Sequence, residues 1–397
     1  MIDGSNTLFV FVCAWALACV GTVWTRCRGR RFSTGSTDTD RGTPRVAVIV
    51  PCRGGGPVVR GFLETLAAQH YRHFTIYWCI ESGDQGAAEA FRTSACQDMG
   101  RIIESTVATS CSQKNSNLLA GIAAAEHESV LVFADADTLL PENWLDMILA
   151  ILEKTDIVSG YRIQLPFHNR LSLGFIAACD WGVAAMPQPR WIGIRHLWGG
   201  TIGMSRETWT RLAAKHELAR SFNDDLLLSD LADQVRLRIA LPSPLLLTSP
   251  LDGDWRSGLA FARRQFFATR LYSRSLYRLA ILLFTTGLAA WATAVLTFVG
   301  TGQLGSLAVL YGAAGIKTLL KLRHNLTVGR SIEVRRLFST LTWMILAEPL
   351  LLAGQLVLLL SAWPTEHITW ADRIYRVSTP SNVRVVSRTG SSLGTRS

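Results

Sequence analysis

Val130-Leu131-Val132-Phe133-Ala134-Asp135-Ala136-Asp137 sets five apolar residues directly before two carboxylates, and Thr138-Leu139-Leu140-Pro141 closes the stretch. A short, continuously apolar run predicts a strand buried on both faces of a parallel sheet. On an extended backbone Asp135 and Asp137, two positions apart, point the same way. The carboxyl ends of parallel strands are also where open α/β sheets place their ligands. Two like charges side by side repel unless a cation lies between them. The pair is therefore a candidate Mg²⁺ or Mn²⁺ site, and such hard ions commonly arrive with a phosphate. The same residues also read as a solvated turn after a strand, since Asp is a common turn residue. The surrounding chain decides between the two.

Upstream, Arg45 to Gly56 reads as a buried strand running into a glycine-rich loop, and Phe62, Leu63, Leu66 and Ala67 then recur at helical spacing. The glycines match neither the dinucleotide fingerprint nor a P-loop, which needs a Lys-Ser/Thr pair. Phe74 to Ile80 is the next strand and again ends in acids, Glu81 and Asp84. Lys114, Asn115 and Asn117 open the helix that leads into the Asp135/Asp137 strand. This alternation predicts an α/β fold with a mainly parallel, doubly wound sheet. Downstream, Asp156 to Gly160 is a further short strand, and His196 to Met204 is glycine-rich, letting a ligand approach the backbone. His196 reads as a general acid, a phosphate contact or, more plainly, a structural histidine, because nothing fixes its partner. Asp224 and Asp225 then open an amphipathic helix. Two acids in a first turn also satisfy helix capping with no function at all.

Composition bounds the rest. The 397 residues are 49% hydrophobic and 18% charged, with mean hydropathy +0.22, too apolar for an ordinary soluble protein and too charged for an all-membrane one. Leu8 to Trp24 predicts a membrane helix. Asp3 precedes it and Arg26, Arg28, Arg30 and Arg31 follow, which is the reverse of a signal peptide and puts the N-terminus outside. Leu279 to Val299, Leu304 to Leu320 and Leu341 to Trp363 predict three more spans, the last interrupted by Glu348-Pro349. The formal net charge of +10 does not imply nucleic acid. Arg323, Arg330, Arg335 and Arg336 cluster beside apolar segments, as lipid headgroups require. Eight cysteines without zinc spacing read as free thiols in a reducing compartment. The expected organisation is an anchor over 1–31, a linker over 32–44, a cytoplasmic domain over 45–275, membrane helices over 276–364, and an interfacial segment with a disordered tail over 365–397.

The ordered set of a strand ending Ile49-Val50-Pro51-Cys52, acids at Glu81 and Asp84, Lys114-Asn115, Asp135-Ala136-Asp137 and Asp224-Asp225 resembles the inverting, nucleotide-sugar-dependent glycosyltransferases of family 2. Within them, the Glu81-Ser82-Gly83-Asp84 segment and the single leading helix look most like the family 21-like ceramide glucosyltransferases and their hopanoid-glycosylating relatives. The resemblance implies a GT-A-like fold and transfer of a hexose from a UDP-sugar to a membrane lipid at the cytoplasmic face of a bacterial inner membrane. Glu81, Asp84, Lys114, Asn115 and Asp135 would meet the nucleotide sugar, and Asp135 and Asp137 the metal, Mg²⁺ or Mn²⁺. Asp225, supported by Asp224, would be the general base, and His196, Trp198, Gly199 and Gly200 would line the acceptor side. Arg263 and Arg264 would reach the diphosphate, although Phe266 and Phe267 stand where the family has Arg and Trp. Ile368 to Tyr375 resembles a C-terminal element of the relatives with Ala371 and Asp372 substituted. A processive polysaccharide synthase and a polyprenyl-phosphate sugar transferase share the acids and remain alternatives. A scaffold without activity leaves four ordered acidic sites unexplained.

Overall fold

The computed structural model describes residues 4–27, 43–185, 196–327, 337–363 and 365–388. The expected linker, the arginines at 28, 30 and 31, those at 330, 335 and 336, and positions 389–397 lie outside them. In chain order the first elements are α1 (Gly4–Cys27), β1 (Val46–Pro51), α2 (Pro57–Ala67), β2 (Phe74–Glu81), α3 (Gln85–Arg92), β3 (Gly100–Ser105), α4 (Gln113–Ala124), β4 (Val130–Ala134), α5 (Trp144–Leu152), β5 (Ile157–Ser159), β6 (Tyr161–Pro166) and α6 (Leu171–Ala184). There follow β7 (Thr201–Ser205), α7 (Arg206–Leu212), α8 (Lys215–Leu218), α9 (Asp225–Gln234), β8 (Ile239–Ala240) and β9 (Leu246–Leu251). The last are α10 (Trp255–Tyr272), α11 (Arg274–Thr301), α12 (Gly305–Thr327), α13 (Phe338–Ile345), α14 (Glu348–Ser361), β10 (His367–Trp370), β11 (Arg373–Thr379) and β12 (Asn382–Arg388).

The described residues fall into a sheet unit (43–162, 196–250 and 365–388) and a helix unit (4–27, 163–185, 251–327 and 337–363). The sheet unit is a mixed α/β layer structure around seven strands in the order β3-β2-β1-β4-β7-β5-β8. Strands β3, β2, β1 and β4 are mutually parallel, and β7 runs antiparallel to both β4 and β5. The apolar runs predicted as buried strands are buried throughout, with Val46 to Val50 and Leu131 to Ala134 at 0–1% exposure. The chain leaves β1 toward β2 and β3, then returns to β4 on the other side of β1. Their carboxyl ends thus flank a topological switch point, where such sheets open a crevice.

Helix α4 is seated there by small-residue packing. A Cβ on Gly121 would lie 2.4 Å from Cys79 Sγ and 2.5 Å from Ile49 Cγ2, so only glycine lets the helix lie this close to β1 and β2. In its first turns Asn117 Nδ2 donates to the carbonyls of Cys52 (3.4 Å) and Cys79 (3.1 Å). The helix start, Lys114 included, is thereby fixed at the sheet's carboxyl edge.

The tail differs from expectation. Where disorder is predicted from Ser378, β10, β11 and β12 form an antiparallel sheet ordered through Arg388. It belongs to the sheet unit: Phe222 packs against Trp370 and Tyr375 at 5.4 and 5.3 Å between ring centres, and Val385 N donates to the Thr109 carbonyl. Tyr375 to Val377 and Val383 to Val385 pair across this sheet, so apolar burial there outweighs the polar composition that suggests a loose tail.

In the helix unit, α1 packs on α11 and α12 through Val12, Ala16, Ala290, Trp291, Ala294 and Leu310. Among the described residues two helices are long and apolar enough to cross a membrane, Asn6–Thr25 and Arg274–Thr301, and a third span results if α13 and α14, bent by 88°, count as one. One leading and about three later spans are expected from the sequence. α12, which contains most of the expected span Leu304 to Leu320, is 23 residues long and carries Lys317, Lys321 and Arg323. Glu348, flagged by its position in an apolar run, forms an ion pair with Lys317, which offsets its charge. The sequence reading has no place for α6, an apolar helix of 14 residues. At 1.5 Å per residue it is too short to cross a hydrocarbon layer of about 30 Å.

Candidate active site

Strand β4 ends at Ala134, and the chain turns through Ala136 and Asp137. The two-residue alternation that aligns Asp135 with Asp137 therefore does not apply, and the carboxylates take different partners. Asp135 Oδ1 accepts from Lys114 Nζ at 2.9 Å. Asp137 pairs with Arg162, a guanidinium only 8% exposed that no sequence motif singled out. The turn is held by Ser249, whose hydroxyl donates to the Asp137 carbonyl (2.6 Å), and by the Leu139 N–H bond to Thr248 (2.8 Å).

Lys114 also lies 3.0 Å from Asp224 Oδ2, whose side chain is 5% exposed. Asp225 is next in sequence, and its Oδ2 accepts from Gly199 N at 3.1 Å. Asp224 makes no side-chain cap bond, while the Leu226 N–H in the first turn donates to both Asp225 Oδ1 (2.7 Å) and Asn223 Oδ1 (2.9 Å). Burial pulls the Lys114 pKa down, but Asp135, Asp224 and Asp225 more than offset it and hold the ammonium charged well above its usual range. For Asp225, burial first and the Asp224 charge second push the carboxyl up to about 6, against the pull of Lys114 and of the Gly199 and Leu226 N–H groups.

The predicted acceptor loop does reach this cluster. Gly199 is where the close approach requires glycine, since a Cβ would lie 2.7 Å from Lys114 Nζ and 3.1 Å from Asp224 Oδ2. Trp198 is fixed by Ser159, whose Oγ accepts from its N–H at 2.7 Å, and its ring lies 4.2 Å from that of Tyr161. Gly200 follows directly, with ordinary contact room beside Trp198. Burial lowers the His196 pKa to about 4, so the imidazole is neutral at pH 7, which suits a structural histidine.

Other expected nucleotide contacts have side chains committed within the protein. Asp84 caps α3 through Ala87 N (3.0 Å) and holds the glycine-rich loop through Gly54 N (2.9 Å). Asn115 is fully buried and donates to the Ser221 hydroxyl (2.8 Å) and carbonyl (3.0 Å), so it fixes the loop ahead of Asp224 from inside. Glu81 is clasped by Arg373, 2.5 Å away and 2% exposed, and by Arg388. Arg373 reaches Gln113 Oε1 as well, at 2.6 Å. Removing one partner of a buried ion pair typically costs about 3–5 kcal/mol. Arg388 retains part of that, so Arg373→Met should destabilise the sheet unit by about 2–3 kcal/mol, read as a lowered thermal midpoint. An unchanged midpoint would show that the clasp adds no stability. In the helix unit, Arg263 donates to the Ser361 carbonyl and Arg264 lies over the Phe261 ring. Arg162 and Arg388 escaped sequence reading because each acts through a partner distant in the chain, whereas Arg373 lies in the Ile368 to Tyr375 element that the sequence singled out.

Among the described residues no set of three His, Cys, Asp or Glu side chains converges to hold a metal ion. A closed protein cage is therefore absent there. Two hard carboxylates at a crevice, Asp137 with 47% of its side chain exposed and Asp135 with 23%, suit the other arrangement. Mg²⁺ and Mn²⁺ are commonly held by one or two carboxylates together with substrate phosphates and water.

A family model described as glycosyl transferase family 21 matches residues 9–383. No curated protein matches the chain. Among solved structures, the mannosyltransferase PcManGT from Pyrobaculum calidifontis, in complex with GDP-Man and Mn²⁺, is 16% identical over 89% of this chain and 99% of its own, with a TM-score of 0.44. TarS of S. aureus, in complex with UDP-GlcNAc, is 12% identical over 87% and 99%, with a TM-score of 0.38. These likenesses are too distant to carry a ligand across.

Proposed function

We propose that this chain, which belongs to glycosyl transferase family 21, moves one hexose from a UDP-sugar to the hydroxyl of a membrane lipid at the cytoplasmic face of a bacterial membrane. The observation that carries the reading is the buried cluster of Lys114 with Asp135, Asp224 and Asp225 beside Gly199, at the carboxyl edge of the sheet. Opposite charges concentrated at a crevice, with one carboxyl held near neutral pKa, are the properties of an acid–base site. Helices α1 and α11, long and apolar enough to span, support a lipid acceptor.

Asp135 and Asp137 would hold the divalent ion. When bound there, that ion supplies Lewis-acid stabilisation of charge developing on the leaving diphosphate. Asp225 accepts the proton of the lipid hydroxyl as its oxygen bonds to the anomeric carbon and the bond to UDP breaks on the opposite face, with inversion. Asp224, held 3.0 Å from Lys114, supports its neighbour. The Gly199 N–H keeps the Asp225 carboxylate oriented toward the acceptor, and orientation of this kind contributes to rate comparably with proton transfer itself.

The test is transfer from radiolabelled UDP-hexoses in oriented membrane vesicles. Inside-out vesicles should label an organic-extractable lipid bearing one sugar, and right-side-out vesicles should not until permeabilised. A growing water-soluble polymer would favour a polysaccharide synthase, and labelling of right-side-out vesicles would reverse the orientation.

A further inference from the structure

Lys114 is the second residue of α4, and the packing of that helix gives its ammonium little freedom to leave the sheet edge. Its Nζ touches carboxylates from two functional halves: Asp135 at 2.9 Å on the donor side and Asp224 at 3.0 Å in the base pair. A compact ammonium with three donors can serve both at once, whereas a planar guanidinium is suited to one carboxylate face. The space is closed by Gly199, where any side chain would crowd Nζ. Asp224 is nearly inaccessible, and this ammonium lies directly beside it.

We propose that Lys114 is a positioning residue that joins the donor and acceptor halves of the site: it commits Asp224 to a permanent ion pair, leaving Asp225 alone to take the acceptor's proton, and it serves Asp135 as an internal counter-cation with which an arriving divalent ion must compete. The inference rests on the assignments of Asp135 and Asp225 made above. It assigns the unequal roles of two adjacent aspartates to a third residue. It also makes the state of the donor carboxylate felt at the base, because both halves draw on the same ammonium.

The test compares Lys114→Met and Lys114→Arg in the full-length protein in lipid nanodiscs, with two measurements. The first is binding of Mn²⁺ alone, followed by loss of the free-ion EPR signal without nucleotide. Lys114→Met should bind at least about tenfold more tightly, the scale on which partners of metal-ligating groups alter affinity, and Lys114→Arg should stay near wild type. The second is the pH dependence of single-turnover transfer. The groups facing Asp225 are Asp224, Lys114 and the Gly199 and Leu226 N–H donors. Loss of the one cation should move the acid limb upward by about one pH unit or more, while the charge-conserving Lys114→Arg should leave it in place even where turnover falls. Reduced turnover in Lys114→Met with Mn²⁺ affinity and acid limb both unmoved would mean that Lys114 only supports the fold, and the proposal would be lost. Tighter Mn²⁺ binding in a protein whose wild type has no acid limb would retain the Lys114–Asp135 link and instead count against Asp225 as the base. Should Lys114→Met not fold, Gly199→Ala pushes Nζ aside and should shift both measurements in the same directions by smaller amounts. No shift in either would overturn the proposal.

Discussion

Asp225→Asn should lower single-turnover transfer by roughly 10²–10⁴ while UDP binding and thermal unfolding stay close to wild type. Asn and Asp cap helices about equally well, and an Asn at this position keeps an oxygen for the Leu226 N–H, which Asn223 also accepts. A merely structural Asp225 would therefore tolerate the change. The wild-type pH profile carries the same information. A base works deprotonated, and Asp225 is raised to about 6, so turnover should be fully developed above that pH and fall as pH drops through it. The stability effect has the opposite sign. A carboxyl whose folded pKa is raised makes the folded state bind more protons than the unfolded chain between about 4 and 6, so stability declines as pH rises through that window. Asp225→Asn should remove this decline. Near-normal turnover in the variant would place the base elsewhere, or indicate a phosphate acceptor that needs none.

Chelation should silence transfer. Excess EDTA is expected to reduce turnover by about 10³ or more, since Lewis-acid stabilisation is worth several kcal/mol, and added Mn²⁺ or Mg²⁺ should restore it. Asp137→Asn should show a comparable loss that added metal does not rescue. The choice of Asn follows from the structure. Asp137→Ala would also remove the oxygens that Arg162 pairs with, and would confuse lost chemistry with lost packing. Undiminished turnover of purified protein in excess chelator would remove the metal role of both aspartates.

The sequence carries the central strands plainly, because Val46 to Val50 and Val130 to Ala134 are uninterrupted apolar runs and nothing but burial explains them. It marks Asp135 and Asp225 by composition and order. Their geometry is not legible, and for a definite reason. The same-face reading of Asp135 and Asp137 assumes that β4 continues, and whether a strand continues by two residues depends on the Ser249 and Thr248 bonds made far along the chain. Lys114 reads as one basic residue in a helix start, and only tertiary structure shows that Asp224 lies beside it. The C-terminal sheet had a usable signal in Val383-Arg384-Val385, whose alternation suits a half-buried strand, yet the serines and arginines around it favour the opposite reading.

The sheet unit is assembled from three separated stretches of chain, and the last of them, with β10 to β12, is synthesised only after every helix of the helix unit. A nascent chain halted anywhere before Trp370 has Glu81 without either arginine and Phe222 without Trp370 and Tyr375. The N-terminal strands can collapse early, as domains do during translation, but the wall carrying Glu81 and Gln113 stays open until β10 to β12 have been delivered, and a chain stopped short of them would lack that wall of the candidate site.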